Sequence, residues 1–214
     1  MEDKIAFLAI AAIPLLFAIS LHEAAHGYAA RHFGDRTAEK MGRISLNPLR
    51  HIDPFGTVLL PAILFLFSGF WFGYAKPVPV RPEHLRKPKE DMFWVALAGP
   101  AANFFMAFAW ALLGALAKTI PDNPYTHALL TMSSAGIGIN LILMYLNLLP
   151  LPPLDGGRII ISLLPLSFAQ KYARIEPFGF LILLLLAFSG LLGRILWPLV
   201  GWTAYLIRLV FPFS

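Results

Sequence analysis

Long apolar runs alternate with short polar and basic segments along the chain. The first run, residues 5–21, contains only one polar side chain, Ser20. About 20 apolar residues in an α-helix cross the hydrocarbon core of a bilayer. Five runs therefore predict membrane-spanning helices, at roughly 5–30, 93–116, 128–148, 178–192 and 196–210. For the last two runs, a single long hairpin is the alternative interpretation.

A sixth apolar run, residues 56–71, has basic loops on both of its sides. Loops rich in Lys and Arg stay on the cytoplasmic side of a membrane, so this run is expected to enter the membrane and return on the same side. Pro61 and Gly69 allow the chain to break there. We expect a re-entrant or interfacial hairpin in this region, with a full span as the alternative.

The composition is that of a protein that needs lipid to cover its surface. The chain has 214 residues, of which 58% are hydrophobic and 14% charged, and its mean hydropathy is +0.69. Soluble domains carry about 25% charged residues. We attribute the formal net charge of +5 to cytoplasmic loops, because no module that reads nucleic acid accompanies it. These data predict an all-α polytopic membrane protein that contacts the lipid bilayer and binds no nucleic acid.

The basic residues also predict the orientation of the first span. Only Lys4 precedes that span, whereas several basic residues follow it: Arg31, Arg36, Lys40, Arg43 and Arg50. Because cytoplasmic loops carry the excess of Lys and Arg, the N-terminus is expected outside and the end of the first span near the cytoplasm. The chain is therefore expected to be an integral, multi-pass membrane protein.

The end of the first span carries the sequence HEAAH. His22 and His26 are four residues apart, so both imidazoles lie on one face of a helix and can bind one metal ion. Glu23 is the type of residue that activates a metal-bound water in zinc proteases. Ionisable groups in a span cost roughly 2.5–3.5 kcal/mol each, which favours a bound partner. A polar patch that faces a water-filled crevice is the alternative.

His32 is one candidate for a third metal ligand. Hydrolytic zinc sites take three protein ligands as a rule, and the chain contains no cysteine. His32 follows His26 at the spacing of the soluble metzincin proteases, but Ala29 stands where those enzymes have the glycine that turns the chain. In a continuous helix, His32 is rotated by about 240° from His26. We therefore expect His32 to be an interfacial residue.

Asp155 is the other candidate for the third ligand. It ends the proline-rich run NLLPLPPLD, and proline cannot continue a helix. Irregular backbone at membrane depth is tolerated only inside protein or around a wet cavity. Gly156 and Gly157 allow a turn directly behind the carboxylate. We interpret this region as a turn that directs the Asp155 carboxylate toward the histidines. The alternative is that this carboxylate caps the helix that follows.

HEAAH at the end of an apolar span, paired with NLLPLPPLDGG, resembles the site-2 protease family of intramembrane zinc metalloproteases. The runs AGPAAN and YAKPVPV are also similar to that family. The resemblance covers roughly residues 5–160 and is to compact members, without the PDZ-like or nucleotide-sensing domains of other subgroups. This compact form implies a prokaryotic plasma membrane as the localisation. The resemblance makes residues 1–160 a membrane-embedded protease core and residues 161–214 the C-terminal transmembrane helices of the same domain.

The resemblance implies one Zn²⁺ ion per chain, with His22, His26 and Asp155 as its ligands and Glu23 as the catalytic base. It further implies hydrolysis of a peptide bond within or near a transmembrane segment of a membrane-protein substrate, close to the cytoplasmic side. A membrane metal transporter and a catalytically inactive homologue that binds helices are the alternative functions. The substrate and the oligomeric state are left open.

Two asparagines on the span before Asp155 are candidate substrate-binding residues. Asn147 and Asn140 can bond a substrate backbone or a developing oxyanion, and hydrogen bonding between helices is the alternative for both. Asn103 is expected to act in packing and in a helix kink. The remaining histidines have no partner at ligand spacing, and we expect them to be solvated or interfacial: His51, His84 and His127.

Residues 76–80 alternate in a strand-like way, with residues 42–47 as a candidate partner. The peptide bonds of a transmembrane helix are shielded by their own hydrogen bonds, so the substrate must unwind before it is cut. An extended segment of the enzyme can capture such a substrate by strand addition. We therefore expect short strand-like segments near the active site, with an ordinary proline-rich connector as the alternative.

Overall fold

A computed structural model describes residues 2–47, 50, 53, 59 and 76–213. The regular secondary structure of these residues is entirely helical, which confirms the all-α prediction for this part of the chain. Numbered along the chain, the helices are α1 (Glu2–His32), α2 (Thr37–Lys40), α3 (Pro88–Ala117), α4 (Pro124–Asn147), α5 (Asp155–Leu163), α6 (Leu166–Ala173), α7 (Glu176–Phe188) and α8 (Leu191–Val210). A 3-10 turn covers Pro82–His84.

Three helices are long and apolar enough to cross a membrane, namely α1 from Ala9 onward, α3 and α4. Helices α7 and α8 meet this criterion only as a pair bent by 80°, which suits a broken span or a re-entrant loop. The chain is therefore a helical membrane protein. The number of about five spans stays a prediction, because among the described residues only three helices meet the criterion singly. Most of the expected hairpin at residues 56–71 lies outside the described residues.

The long helices form a bundle in which α1 packs against both α3 and α4, and α5 packs against α3. Small side chains let membrane helices approach closely. On α4, Gly136 faces the indole of Trp110 on α3 so closely that a methyl group there would overlap the ring. The main core joins α3, α4 and the C-terminal helix through Ala107, Ala111, Ile137, Leu141, Met144, Val200, Ile207 and Phe213.

The ends of α4 follow from local sequence. Asn123 caps its start, since the Asn123 side chain accepts hydrogen bonds from the backbone N–H groups of Tyr125 and Thr126, as N-cap residues do. The helix ends at Asn147, just before the run of prolines, as the sequence predicts. The chain then folds back through residues 148–154 into α5, and the peptide bond between Pro152 and Pro153 is cis. This return brings Asp155 to the first turn of α5.

The strand-like segments expected near the site do not form strands. In the described part of the chain, residues 76–80 and 43–45 have no regular secondary structure. Pro77 and Pro79 lack the N–H donors that a ladder would need. The two segments are joined instead by a side chain, because Arg43 Nη2 donates to the carbonyl of Lys76 at 3.0 Å.

Candidate metal centre

Helix α1 places two imidazoles side by side within the bundle. His22 and His26 are one turn apart, and both are buried. Their Nε2 atoms are 3.1 Å apart, and the rings meet edge to face with centroids 4.7 Å apart. The helical spacing of HEAAH therefore produces the shared face that the sequence predicts.

Asp155 completes a triangle with these two nitrogens. Its Oδ2 atom lies 3.2 Å from His22 Nε2 and 3.3 Å from His26 Nε2. Asp155 is buried, and Oδ2 has no hydrogen-bond donor among the described residues. The N-cap of α5 is Leu154, with no capping hydrogen bond from a side chain. The alternative interpretation of Asp155 as a helix cap is therefore wrong.

The other ring nitrogens define which atoms face the cluster. His26 Nδ1 lies 2.7 Å from the carbonyl oxygen of Val95, and His22 Nδ1 lies 2.6 Å from Asn103 Oδ1. Both partners are oxygens that only accept, so each Nδ1 carries the hydrogen and donates it. Each Nε2 is then left with a lone pair. This arrangement is the one that prepares histidine to bind a metal ion.

The orientation of Asn103 is set by two further hydrogen bonds. Its Nδ2 donates to the carbonyl of Ala18 at 3.2 Å and to Asn140 Oδ1 at 3.0 Å. Asn140 Nδ2 in turn donates to the carbonyl of Gly136 at 2.8 Å. Both asparagines have no exposed surface. A chain of amides thus runs from α4 through α3 to the His22 ring, and it leaves Asn103 Oδ1 free to face that ring.

These hydrogen bonds bear on the roles that the sequence predicts for three asparagines. The sequence predicts that Asn103 acts in packing and in a helix kink, and the structure adds a direct contact with His22. The sequence shows an amide side chain within an apolar span, but it does not show which side chain that amide contacts. The substrate-binding role of Asn140 stays a prediction, and the structure gives that side chain a contact with Asn103. Asn147 is half-buried and donates to the carbonyl of Leu143, and its substrate-binding role also stays a prediction.

The geometry of the triangle fits a metal ion. Two neutral imidazole nitrogens and a carboxylate oxygen offer three lone pairs at separations of 3.1–3.3 Å, an arrangement that repels without a cation between them. Tetrahedral zinc with bonds of about 2.0–2.1 Å separates its ligands by about 3.3–3.4 Å. The three atoms therefore have the chemistry and nearly the spacing of a zinc ligand set.

A glycine keeps the space before these nitrogens open. A Cβ atom at Gly99 of α3 would lie 2.6 Å from His22 Nε2 and closer still to His26 Nε2. Real Cβ contacts are not this short, so any side chain at this position would displace the rings. Gly99 precedes Pro100 in the AGPAAN run, and its function was missed at the level of sequence.

Asp155 is ionised in this setting. Burial alone would raise the pKa of its carboxyl group. When His26 and His22 are protonated, their charge outweighs burial and holds the pKa well below the ordinary value, and a bound cation in place of those protons would favour the carboxylate in the same way. The carboxylate therefore offers a charged oxygen to a cation. Gly156 and Gly157 make its presentation possible, since a Cβ at either would overlap the backbone of the preceding loop, at residues 148–152.

Glu23 lies on α1 between the two histidines and is half-buried. Its Oε2 atom accepts a hydrogen bond of 2.7 Å from the backbone N–H of Val78. The cluster of metal-ligating groups comprises His22, His26 and Asp155 and does not include Glu23. Glu23 is therefore adjacent to the metal-ligating residues along α1 but is not one of them, and this position is compatible with the role of a catalytic base.

The remaining histidines are placed as follows. His32 is exposed at the end of α1 and lies outside the cluster, in agreement with the continuous helix. His84 is exposed, in agreement with the prediction of a solvated or interfacial residue, and its Nδ1 lies 3.4 Å from Asp35 Oδ1 and 3.1 Å from Thr37 Oγ1. His127 pairs with Asp122 at the surface. His51 lies outside the described residues.

Known proteins are similar to this chain over most of its length. The sequence pattern of peptidase family M50 matches residues 10–122 and 119–189. The chain is 40% identical over 197 residues to "Putative zinc metalloprotease YwhC" of Bacillus subtilis, covering 88% of this chain and 84% of that protein. It is 31% identical over 188 residues to "Putative zinc metalloprotease Rip2" of Mycolicibacterium smegmatis, covering 87% of this chain and 70% of that protein. No solved structure matches the chain.

The family pattern extends over both halves of the candidate site, since it includes HEAAH on α1 and Asp155 on α5. The resemblance to the site-2 protease family is thereby confirmed. The chain belongs to peptidase family M50 and is a metalloprotease of the membrane.

Proposed function

We propose that this metalloprotease hydrolyses peptide bonds within or near the transmembrane segments of membrane proteins, using one Zn²⁺ ion per chain. The observation that carries the proposal is the triangle of His22 Nε2, His26 Nε2 and Asp155 Oδ2 at 3.1–3.3 Å. Its location supports the substrate class, because the two histidines lie on a helix that is long and apolar enough to span a bilayer. A substrate segment embedded in the same bilayer could reach them from within the membrane.

His22, His26 and Asp155 would hold the ion, and the groups around them orient these three side chains. Asn103 Oδ1 and the Val95 carbonyl keep both imidazoles in the tautomer that presents Nε2. When bound, the ion would polarise the scissile carbonyl and make a water molecule acidic enough to lose a proton near neutral pH. Glu23 would act as the base, taking a proton from the attacking water and delivering it to the leaving amine.

Recognition of the substrate and the orientation of the protein belong to the same proposal. Asn147 is half-buried at the end of α4, where it can meet the unwound backbone of a substrate, and Asn140 is a candidate as well. The basic residues that follow α1 support a site near the cytoplasmic face of a plasma membrane. We assign residues 1–160 to the protease core and residues 161–214 to further helices of the same domain.

One experiment tests the reaction and its base. The protein is purified in detergent and offered a test substrate with one transmembrane helix of about 20 apolar residues that carries a Gly-Pro pair near one end. Wild type is expected to cut in or beside the helix, whereas Glu23→Gln binds about one zinc ion per chain and does not cut. Glu39→Gln, a change to an exposed carboxylate on α2, is the control and should cut at the wild-type rate.

Each outcome has a distinct meaning. Cleavage by Glu23→Gln at the wild-type rate would rule out Glu23 as the base. Cleavage of soluble peptides only, with the membrane-embedded bond left intact, would contradict the proposed substrate class. Asp155→Ala should lose zinc, and full retention of zinc by this variant would show that the third ligand is another residue.

A further inference from the structure

The amide of Val78 is positioned to orient the catalytic base. Its N–H donates to Glu23 Oε2 at 2.7 Å. Val78 is buried, and its side chain approaches Gly27, one turn after Glu23 on α1. Pro77 and Pro79 have no N–H group, so the sequence around Val78 presents a single isolated donor to the carboxylate. We call residues 76–81 the clamp segment.

Asp35 holds one end of the clamp segment. Its Oδ2 accepts from the backbone N–H of Arg81 at 2.7 Å, and its Oδ1 accepts from the N–H of Thr37 at 2.9 Å. Asp35 has no exposed surface. An ionised carboxylate is costly to bury unless hydrogen bonds compensate for lost water, so Asp35 and the amide of Arg81 are strongly bound to each other. Asp35 lies just after α1, the helix that carries Glu23.

Arg43 holds the other end of the clamp segment. Its Nη2 donates to the carbonyl of Lys76 at 3.0 Å, while its Nη1 donates to the carbonyl of Arg50 at 2.6 Å. The planar guanidinium makes both contacts from a fixed fork. The two anchors bracket the amide of Val78, since one binds two residues before it and the other binds three residues after it.

We propose that Asp35 and Arg43 are positioning residues for Glu23, acting through the clamp segment. They hold the Val78 N–H against Oε2, which restricts the carboxylate to one rotamer and leaves Oε1 to exchange the proton. The inference rests on the proposed function only in that Glu23 is the base. It concerns groups that neither bind the metal nor contact the reacting atoms.

The Val78 amide can be removed by substitution. Val78→Pro deletes the N–H, whereas Val78→Ala keeps the N–H and removes most of the side chain. A hydrogen bond to a charged group has a strength that corresponds to roughly a tenfold to hundredfold change in rate. Val78→Pro is therefore expected to lower kcat by that factor with little change in KM, and Val78→Ala is expected to lower it much less.

Substitution of Asp35 or Arg43 tests the proposal without changing Glu23 or Val78. Asp35→Asn and Arg43→Gln should both lower kcat by about tenfold, leave KM for the same test substrate near the wild-type value, and retain one zinc ion per chain. Arg43→Lys keeps a donor and should restore part of the rate. Glu39→Gln, on the same side of the protein, again serves as the control with unchanged kinetics.

Hydrogen exchange gives a readout that needs no turnover. The clamp segment contains two prolines, so Val78 supplies one of its four backbone N–H groups. Exchange in the peptide that covers this segment should be faster by roughly tenfold in Glu23→Gln and Asp35→Asn than in wild type, and unchanged in Glu39→Gln.

Three results would overturn the inference. Equal kcat values for Val78→Pro and Val78→Ala would show that the N–H does not orient Glu23. A rise in kcat for Val78→Pro would show that the amide restrains the base instead. Unchanged exchange in Asp35→Asn would show that this carboxylate does not hold the clamp segment. These failures are distinct from failure of the proposed function, which would appear as full activity of Glu23→Gln.

Discussion

Replacing Gly99 by alanine should remove the metal centre while the fold remains intact. The new Cβ would lie 2.6 Å from His22 Nε2 and closer still to His26 Nε2. An ordinary contact of this kind needs about 3.4 Å, so both rings must retreat by on the order of 1 Å. Metal–ligand distances tolerate only about 0.2 Å. The added methyl group would therefore move both imidazoles beyond the range of distances at which they can bind one metal ion.

The magnitude follows from the contacts that the rings would lose. A shift of this size breaks the bond of 2.6 Å between His22 Nδ1 and Asn103 and that of 2.7 Å between His26 Nδ1 and Val95. Loss of one such supporting contact costs about 10–100-fold in metal affinity. We expect Gly99→Ala to bind zinc at least about 100-fold more weakly. Alanine favours a helix over glycine by about 1 kcal/mol, so α3 itself should not be weakened.

The assay is a competition titration of zinc against a chromophoric chelator, combined with thermal unfolding of the zinc-free protein. Gly138→Ala on α4 is the matched control, because nothing lies within 4 Å of its added Cβ, and it should bind zinc like wild type. Wild-type zinc affinity in Gly99→Ala would refute the argument. Unfolding of the zinc-free Gly99→Ala protein at a much lower temperature would show that the substitution disturbs the packing of the helices and not only the metal centre.

Three further changes probe the surroundings of the site. Asn103→Leu removes the acceptor of His22 Nδ1 and should weaken zinc binding by about 10–100-fold in the same titration. Gly179→Ala would drive a methyl group into the carbonyl of Pro152, so α7 must move off the loop that carries the third ligand, and both melting temperature and cleavage should fall. Hydrogen bonds from backbone and Thr37 donors outweigh burial and lower the pKa of Asp35. Its folded pKa lies below the unfolded value of about 4, so its stabilisation is present above that pH and is lost as the pH falls through the folded pKa. The unfolding free energy in detergent should thus fall more steeply below about pH 4 in wild type than in Asp35→Asn.

Each of these predictions has a control that separates it from general damage. Asn103→Asp retains an oxygen acceptor and should keep more zinc affinity than Asn103→Leu. Gly193→Ala on α8 makes only ordinary contacts with Trp197 at 3.5 Å and should leave the melting temperature unchanged. Parallel pH profiles of wild type and Asp35→Asn would show that the Asp35 carboxylate does not contribute.

Local rules were sufficient for half of the site. The spacing of His22 and His26 places both rings on one helical face whatever surrounds the helix, and the structure brings their Nε2 atoms to 3.1 Å. The end of α4 before the prolines also follows from local chemistry, because proline has no N–H to continue a helix. Asp155 could be nominated as the third ligand, but its distance from the histidines could not be calculated.

Contacts between distant segments could not be read from periodicity. The partner of His22 Nδ1 is Asn103, 81 positions away, and the partner of His26 Nδ1 is Val95, 69 positions away. Both depend on the axial register and crossing angle of α1 and α3, which the pattern of apolar residues leaves undefined. The expected strand pairing of residues 76–80 failed for a related reason, since a side chain of Arg43 and a carboxylate of Glu23 bind backbone groups there instead.

Length, hydropathy and helical spacing are properties of the chain alone, so they predict without a structure that this protein is helical, belongs in a membrane and carries the residues of a metal site. The packed helices add the room that Gly99 leaves before the two imidazoles, the contact of Asn103 with one of them and the hydrogen bond from Val78 to Glu23. These contacts depend on how side chains pack at the scale of about 1 Å. That packing is defined only when helices meet, so no single segment of the sequence reveals it.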